Sequence, residues 1–172
     1  MKKKYFIILL LFPIFINSQV INFSDTNLKN KLLQADVNSS IAFDANYNQI
    51  MVDINNDNEV EINEALLVYA LYVTNSNINN LNGLEFFNNM IDLDCNSNNI
   101  TNFDFTLFPN LLYFNGNNNL FSSLIIDNNS TIDSIKLNNN NLSSVSVTNC
   151  STIRELNCSN NTAIRKSEIK RA

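Results

Sequence analysis

From residue 68 onward, hydrophobic positions recur at a nearly fixed interval. The segments LYVTNSNI (71–78), LDCNSNNI (93–100), FNGNNNLF (114–121), IKLNNNNL (135–142) and LNCSNNTA (156–163) share the template apolar-x-apolar-x-x-N-x-apolar, at offsets of 22, 21, 21 and 21 residues. A further apolar position follows three residues later in four copies, at Leu81, Phe103, Leu124 and Val145. Side chains two apart on a strand point the same way, so apolar-x-apolar predicts a short strand with two residues in the core and one facing out. Copies stacked in this register form a parallel sheet. The turn after each strand leaves backbone N–H and C=O groups near the core, and an inward Asn can both donate and accept there. Asn98, Asn119, Asn140 and Asn161 hold that position, with Ser76 in the first copy, and are expected to form a structural ladder.

A period of 20 to 29 residues with this consensus is the leucine-rich repeat. The expected fold is therefore an α/β solenoid: a leucine-rich repeat with short parallel strands on the concave face and a small helical N-terminal cap. The chain divides into a leader at 1–18, a cap at 19–67, about five repeats at 68–164 and a charged tail at 165–172. The fifth copy is incomplete, with Ala163 and Lys166 where apolar residues belong. An uncapped last repeat is open to self-association through its exposed strand.

Within the cap, FSDTNLKNKLLQA reads as a short helix with Ser24 as N-cap, Phe23 and Leu28 as a hydrophobic staple, and Leu28, Leu32 and Leu33 on one face. It would cover the open end of the first repeat. The segment DINNDNEVEINE (53–64) then matches the spacing of an EF-hand loop. Asp53, Asn55 and Asp57 stand at positions 1, 3 and 5, Glu59 offers its carbonyl at 7, Glu61 lies at 9, and Glu64 supplies a bidentate carboxylate at 12. Asn58 replaces the usual Gly at position 6, where a left-handed turn costs Asn little. A single loop lacks the paired groove of a calcium sensor, so calcium is expected as a structural ion that staples the cap to the first strand. The alternative is an acidic, solvated turn.

The first residues, MKKKYFIILLLFPIFINSQ, carry three lysines, an apolar run and the small residue Ser18, the layout of a secretory signal peptide. The expected location is secreted or on the surface of a bacterium, with no transmembrane segment in the mature chain. The leader holds three of eleven basic residues and none of the sixteen acidic ones, so its removal lowers the formal charge from −5 to −8. Such a chain repels phosphate, and nucleic acid is not an expected partner. Gly and Pro occur twice each, while Asn makes up roughly one residue in five; Asn is the residue other than Gly that best tolerates left-handed turns.

Cys95 and Cys158 fall at the second strand position and read as small buried hydrophobes, and Cys150 lies in a return segment at a position expected to face inward. An odd number of cysteines in an exported chain leaves a free thiol or an intermolecular bridge open. With no His anywhere, there is no Cys/His pair and no histidine metal site.

The outward strand positions form three columns: Ala70, Asp92, Tyr113, Ser134, Glu155; then Tyr72, Asp94, Asn115, Lys136, Asn157; then Thr74, Asn96, Asn117, Asn138, Ser159. Tyr72 and Tyr113 flank Asp92 and Asp94, and with Asn115 and Lys136 these make a concave-face candidate able to stack on and hydrogen-bond a sugar or peptide. The bland alternative is a face that is merely soluble.

These repeats, preceded by a helix and an acidic loop, resemble the secreted bacterial leucine-rich-repeat proteins of the internalin-like type. The resemblance covers nearly all of the chain after residue 18, and it implies an exported, non-enzymatic binding module for an extracellular protein or glycan. A vestigial repeat protein without a ligand is the second reading. A calcium-dependent parallel β-helix polysaccharide lyase is the third, opposed by Lys136 being the one base near the acidic strand cluster.

Overall fold

The computed structural model describes residues 19–161 and 169–171, so the expected signal peptide lies outside the described residues. The chain opens with a short cap. Helix α1 (Thr26–Leu32) buries Leu28 and Leu32, and its N-cap is Asp25, not the expected Ser24. Asp25 Oδ1 accepts from the N–H groups of Asn27 and Leu28 at 2.8 and 3.1 Å, while its Oδ2 accepts from Asn79 N–H at 2.7 Å. Ser24 instead donates its hydroxyl to Asn80 Oδ1 at 2.7 Å. The carboxylate wins the cap because one group satisfies helix donors and the turn of the first repeat together. Phe23 and Leu28 are both buried.

Strand β1 (Ala42–Phe43) follows, then helix α2 (Ile62–Ala65), a single turn that begins within the last residues of the acidic loop. The repeats then lay down β2 (Ala70–Tyr72), β3 (Asp92–Asp94) and β4 (Tyr113–Asn115). Their return segments differ along the molecule. The first two contain 3₁₀ turns at Leu84–Phe86 and Phe105–Leu107, whereas the next contains a true strand, β5 (Ser123–Asp127). The pattern continues with β6 (Ser134–Lys136), β7 (Ser144–Thr148), β8 (Glu155–Asn157) and β9 (Ile169–Arg171).

Two sheets result. The first has the order β1-β2-β3-β4-β6-β8, parallel except where β1 pairs antiparallel with β2, and it carries the repeat strands in the anticipated register. The second, β5-β7-β9, is parallel and lies on the opposite, convex side. The sequence reading anticipated the first sheet and not the second. Strand β9 also falls in the segment expected to be only a charged tail, pairing Val145 with Ile169.

One core runs between the sheets. Asn98 shows how the ladder seals it: Nδ2 donates to Val73 and Cys95 carbonyls at 2.8 and 2.9 Å, and Oδ1 accepts from Ser76 and Ile78 N–H, both at 3.0 Å. Asn119, Asn140 and Asn161 repeat the pattern one coil at a time, donating to Cys95, Gly116 and Leu137 carbonyls and accepting from Ile100, Phe121 and Leu142 N–H. Ser76, in the first copy, donates its hydroxyl to the Thr74 carbonyl just after β2, 2.8 Å away. Among the described residues no buried side-chain polar atom lacks a partner.

The residue before each ladder position has a left-handed backbone: Asn75, Ser97, Asn118, Asn139 and Asn160, with φ from 49° to 58°. Among the described residues, nine of the eleven non-Gly residues with positive φ are Asn, which explains how a chain with two glycines turns so often. Gly116 is needed for space, because a Cβ there would lie 2.8 Å from the Phe121 ring and 2.9 Å from that of Phe114. Those rings belong to an aromatic stack in which Phe103 lies 4.5 Å from Phe114 and 4.6 Å from Phe108, centroid to centroid. No disulfide joins the cysteines; Cys95 is buried, and Cys150 and Cys158 are half-buried against the core.

Candidate functional site

The repeat register places Tyr72, Asp94, Asn115 and Lys136 in one row on the concave face, with Asp92 and Tyr113 paired in the row beside it. Ala70, expected to face outward, is fully buried, because β1 lies along β2 and sets Phe43 opposite it. That cap hairpin adds two rings that sequence reasoning missed. Phe43 packs on Tyr72 with centroids 5.0 Å apart, and Tyr47 lies 6.4 Å beyond Phe43. Tyr47 holds a left-handed conformation, φ 60°, at the tip of a turn braced by the Asp44 carboxylate, which accepts from Asn46 and Asn48 N–H. Tyr47 and Tyr113 remain 48% and 38% exposed.

Asp92 sits half-buried among these rings. Tyr72 donates its hydroxyl to Asp92 Oδ2 at 3.0 Å. Burial raises the Asp92 carboxyl above its usual range, assisted by the neighbouring Asp94 charge and opposed by the Tyr72 hydrogen bond. Burial and the Asp92 charge push the Tyr72 phenol upward, and Tyr47 is shifted the same way by burial, Asp92 and Tyr113. Asp94 is held in place by Asn96, through its N–H at 2.9 Å and Nδ2 at 2.7 Å, and by Asn115 Nδ2 at 2.9 Å. The cationic side chains of this face lie further along: Lys136 is 3.6 Å from Glu155, and Arg154 pairs with Asp133. An aromatic, uncompensated acidic end thus gives way to a charge-paired end. Lys136 is engaged with Glu155 and is not aimed at the acidic pair as a proton acceptor.

The third outward column is committed to structure. Asn117 Oδ1 accepts from Asn138 N–H at 2.7 Å, and Asn138 Oδ1 accepts from Ser159 N–H at 3.0 Å. Beside it Asn160, Asn139 and Asn118 form an exposed amide chain, Nδ2 to Oδ1, at 2.8 and 3.0 Å. The signal for both was present as Asn recurring every 21 residues in neighbouring columns.

The acidic loop folds around its own backbone. Asp53 accepts from Asp57 and Asn58 N–H at 3.2 and 3.0 Å, Asn55 Oδ1 from Asp57 N–H at 2.9 Å, and Asp57 Oδ1 from Glu59 N–H at 2.9 Å. Asn58 is left-handed, φ 66°, as its place in the loop requires. Glu64 reaches back to Ile54 N–H at 2.8 Å and to Glu61 N–H at 3.0 Å. Glu59 turns its side chain away to Lys29 at 2.6 Å. The apolar Val60 accepts from Ile21 N–H at 2.8 Å, so the start of the cap pairs with the loop.

Asp53, Glu61 and Glu64 are buried, and the Glu61 carboxyl is raised to about 7 by its hydrogen bond with Glu64, by burial and by the charges of Glu64 and Asp57. Among the described residues no three acidic side chains are gathered closely enough to hold an ion as they stand. On the loop's inner side Asn55 Nδ2 reaches Asp57 Oδ2 at 3.1 Å and Glu61 Oε2 at 3.4 Å, presenting a donor between the carboxylates.

No helix of the described residues is long and apolar enough to cross a membrane. No family model matches the sequence, and no curated protein matches it. Solved structures do. The functional domain of InlJ from Listeria monocytogenes, described as including a cysteine ladder, superposes with a TM-score of 0.60 at 23% identity over 84% of this chain and 30% of that one. An internalin, InlF, from the same species gives 0.57 at 19% identity over 81% of this chain and 37% of its own. The present chain therefore spans about a third of the length of either internalin. It has no ladder of adjacent cysteines, since Gly116 and Leu137 separate Cys95 from Cys158 in their column. The fold is the leucine-rich-repeat solenoid of the internalins.

Proposed function

We propose that the protein is an exported binding module that grips an extracellular protein or glycan with the cap-proximal end of its concave face. The observation that carries this reading is the cluster of Phe43, Tyr47, Tyr72 and Tyr113 around Asp92, a half-buried carboxylate with no cationic partner among the described residues. Aromatic faces offer stacking area at low entropic cost, and desolvated polar groups among them discriminate partners. Asp94, held by Asn96 and Asn115, is a rigid second acceptor.

In this reading calcium is a structural ion in the cap. Asp53, Asn55, Asp57, Glu61 and Glu64 would hold it with side-chain oxygens and Glu59 with its carbonyl. The ion would favour the ionised form of Glu61.

The test of the binding face is a parallel screen of glycan arrays and displayed surface proteins with wild type and with Tyr72→Ala/Tyr113→Ala. A specific hit should weaken by about 2 kcal/mol or more in the variant, as truncation of central aromatic anchors does. A hit indifferent to both tyrosines would move the binding face elsewhere. For the cap, thermal unfolding in millimolar calcium against chelator should show a calcium-dependent rise in Tm that Glu64→Gln removes; equal melts in both buffers would reduce the loop to an acidic turn.

A further inference from the structure

We infer that the convex side carries a second, separate binding site, which takes an extended cationic peptide by strand addition to the free edge of β5. The second sheet begins abruptly at β5, because the preceding coil turns through a 3₁₀ segment, Phe105–Leu107, where a strand would otherwise lie. Parallel strands use alternate residues for each neighbour. Asn128 N–H donates to the Thr148 carbonyl at 3.1 Å and the Ser122 carbonyl accepts from Ser143 N–H at 2.9 Å, which fixes the phase. Leu124 and Ile126 therefore bond β7, and the N–H and C=O groups of Ser123, Ile125 and Asp127 point toward the preceding coil. No backbone hydrogen bond from that coil meets them among the described residues.

Between this edge and residues 103–109 lies an open cleft of about 710 Å³. Its apolar contribution is unusual for a soluble surface: Ile125 is 70% exposed and Leu107 is 50% exposed, one on each wall. Unpaired edges with exposed aliphatic residues invite pairing, and natural proteins usually blunt them with Lys or Pro on the edge strand. This edge, Ser-Leu-Ile-Ile-Asp, has neither. The charge of the cleft selects the occupant. Glu85, Asp104 and Asp127 line it and no Lys or Arg does, so a strand carrying cationic side chains between apolar ones is complementary in both respects.

The probe is a short fluorescein-labelled peptide of alternating valine and lysine, with a valine and glutamate counterpart, read by anisotropy. The lysine peptide should bind at least about tenfold tighter. Ile125→Pro removes an outward N–H that β7 does not use, leaves the charge unchanged, and should abolish binding. Asp104→Asn/Asp127→Asn keeps the edge and should weaken binding by about tenfold at low salt. Amide exchange provides a readout that requires no variant: the lysine peptide should newly protect the Ile125 and Asp127 N–H groups. Binding that survives Ile125→Pro, equal binding of both peptides, or no added protection overturns the proposal. Protection without peptide that grows with protein concentration also overturns it, since a second copy would then occupy the edge.

Discussion

At the scale of single residues, the Asn columns divide into distinct tasks. A ladder Asn is irreplaceable by shape alone, because it both donates and accepts inside the core. Asn119→Leu would leave the Ile100 N–H without the partner it has at 2.9 Å and would remove one of the two amide donors of the Cys95 carbonyl, the other being Asn98. The expected loss is about 1 to 3 kcal/mol, measured by urea unfolding, the cost of one orphaned buried group. The residue just before it has a backbone task only. Ser97 is the one member of that column that is not Asn, at φ 58°. Ser97→Asn should raise stability by about 0.5 kcal/mol in the same assay, because Asn visits the left-handed region more cheaply than Ser. The buried ladder was legible in the sequence because its Asn stand beside fixed apolar positions. The left-handed column was hidden, since Asn surrounds it on both sides and φ leaves no hydrophobic mark.

Elements were legible where periodicity was strong. The short concave strands followed from apolar-x-apolar, yet β5 and β7 did not, although SLIID and SVSVT alternate as strands should. The first two return segments, with Gly83 at φ 106° and Asp104 capping its 3₁₀ turn, do not alternate, and a single template averaged the two kinds. The two-residue β1 gave no periodic signal at all, so Phe43 and Tyr47 escaped the candidate site. The acidic loop was legible from spacing, and its electrostatics give a further prediction. Without metal, the Glu61 carboxyl is raised to about 7 from an ordinary value of 4.5. The folded state then binds more protons than the unfolded state between these values. The contribution of Glu61 to stability in chelator should be fully present below pH 4.5 and be lost as pH rises through 7, followed by thermal melts of wild type and Glu61→Gln at stepped pH. Calcium should remove that decline, because a bound cation favours ionised Glu61 and Glu64. A chelated protein whose stability rises over the same window would contradict the close Glu61–Glu64 pairing.

For the whole molecule, the repeat offset and the cap were enough to predict a solenoid, and the internalin structures share that fold. The change from 3₁₀ turns to strands along the convex side has a mechanical consequence. Hydrogen-bonded strands keep a fixed spacing of about 4.8 Å. Where β4 stacks on β6 and β5 stacks on β7, both sides of the coil are pinned at that pitch, and no wedge can open between successive turns. In the first coils only the inner side is pinned, and the outer side is free to spread. Curvature should therefore concentrate at the capped end, beside Tyr47 and Tyr72, and fall off along the coils from β4 onward.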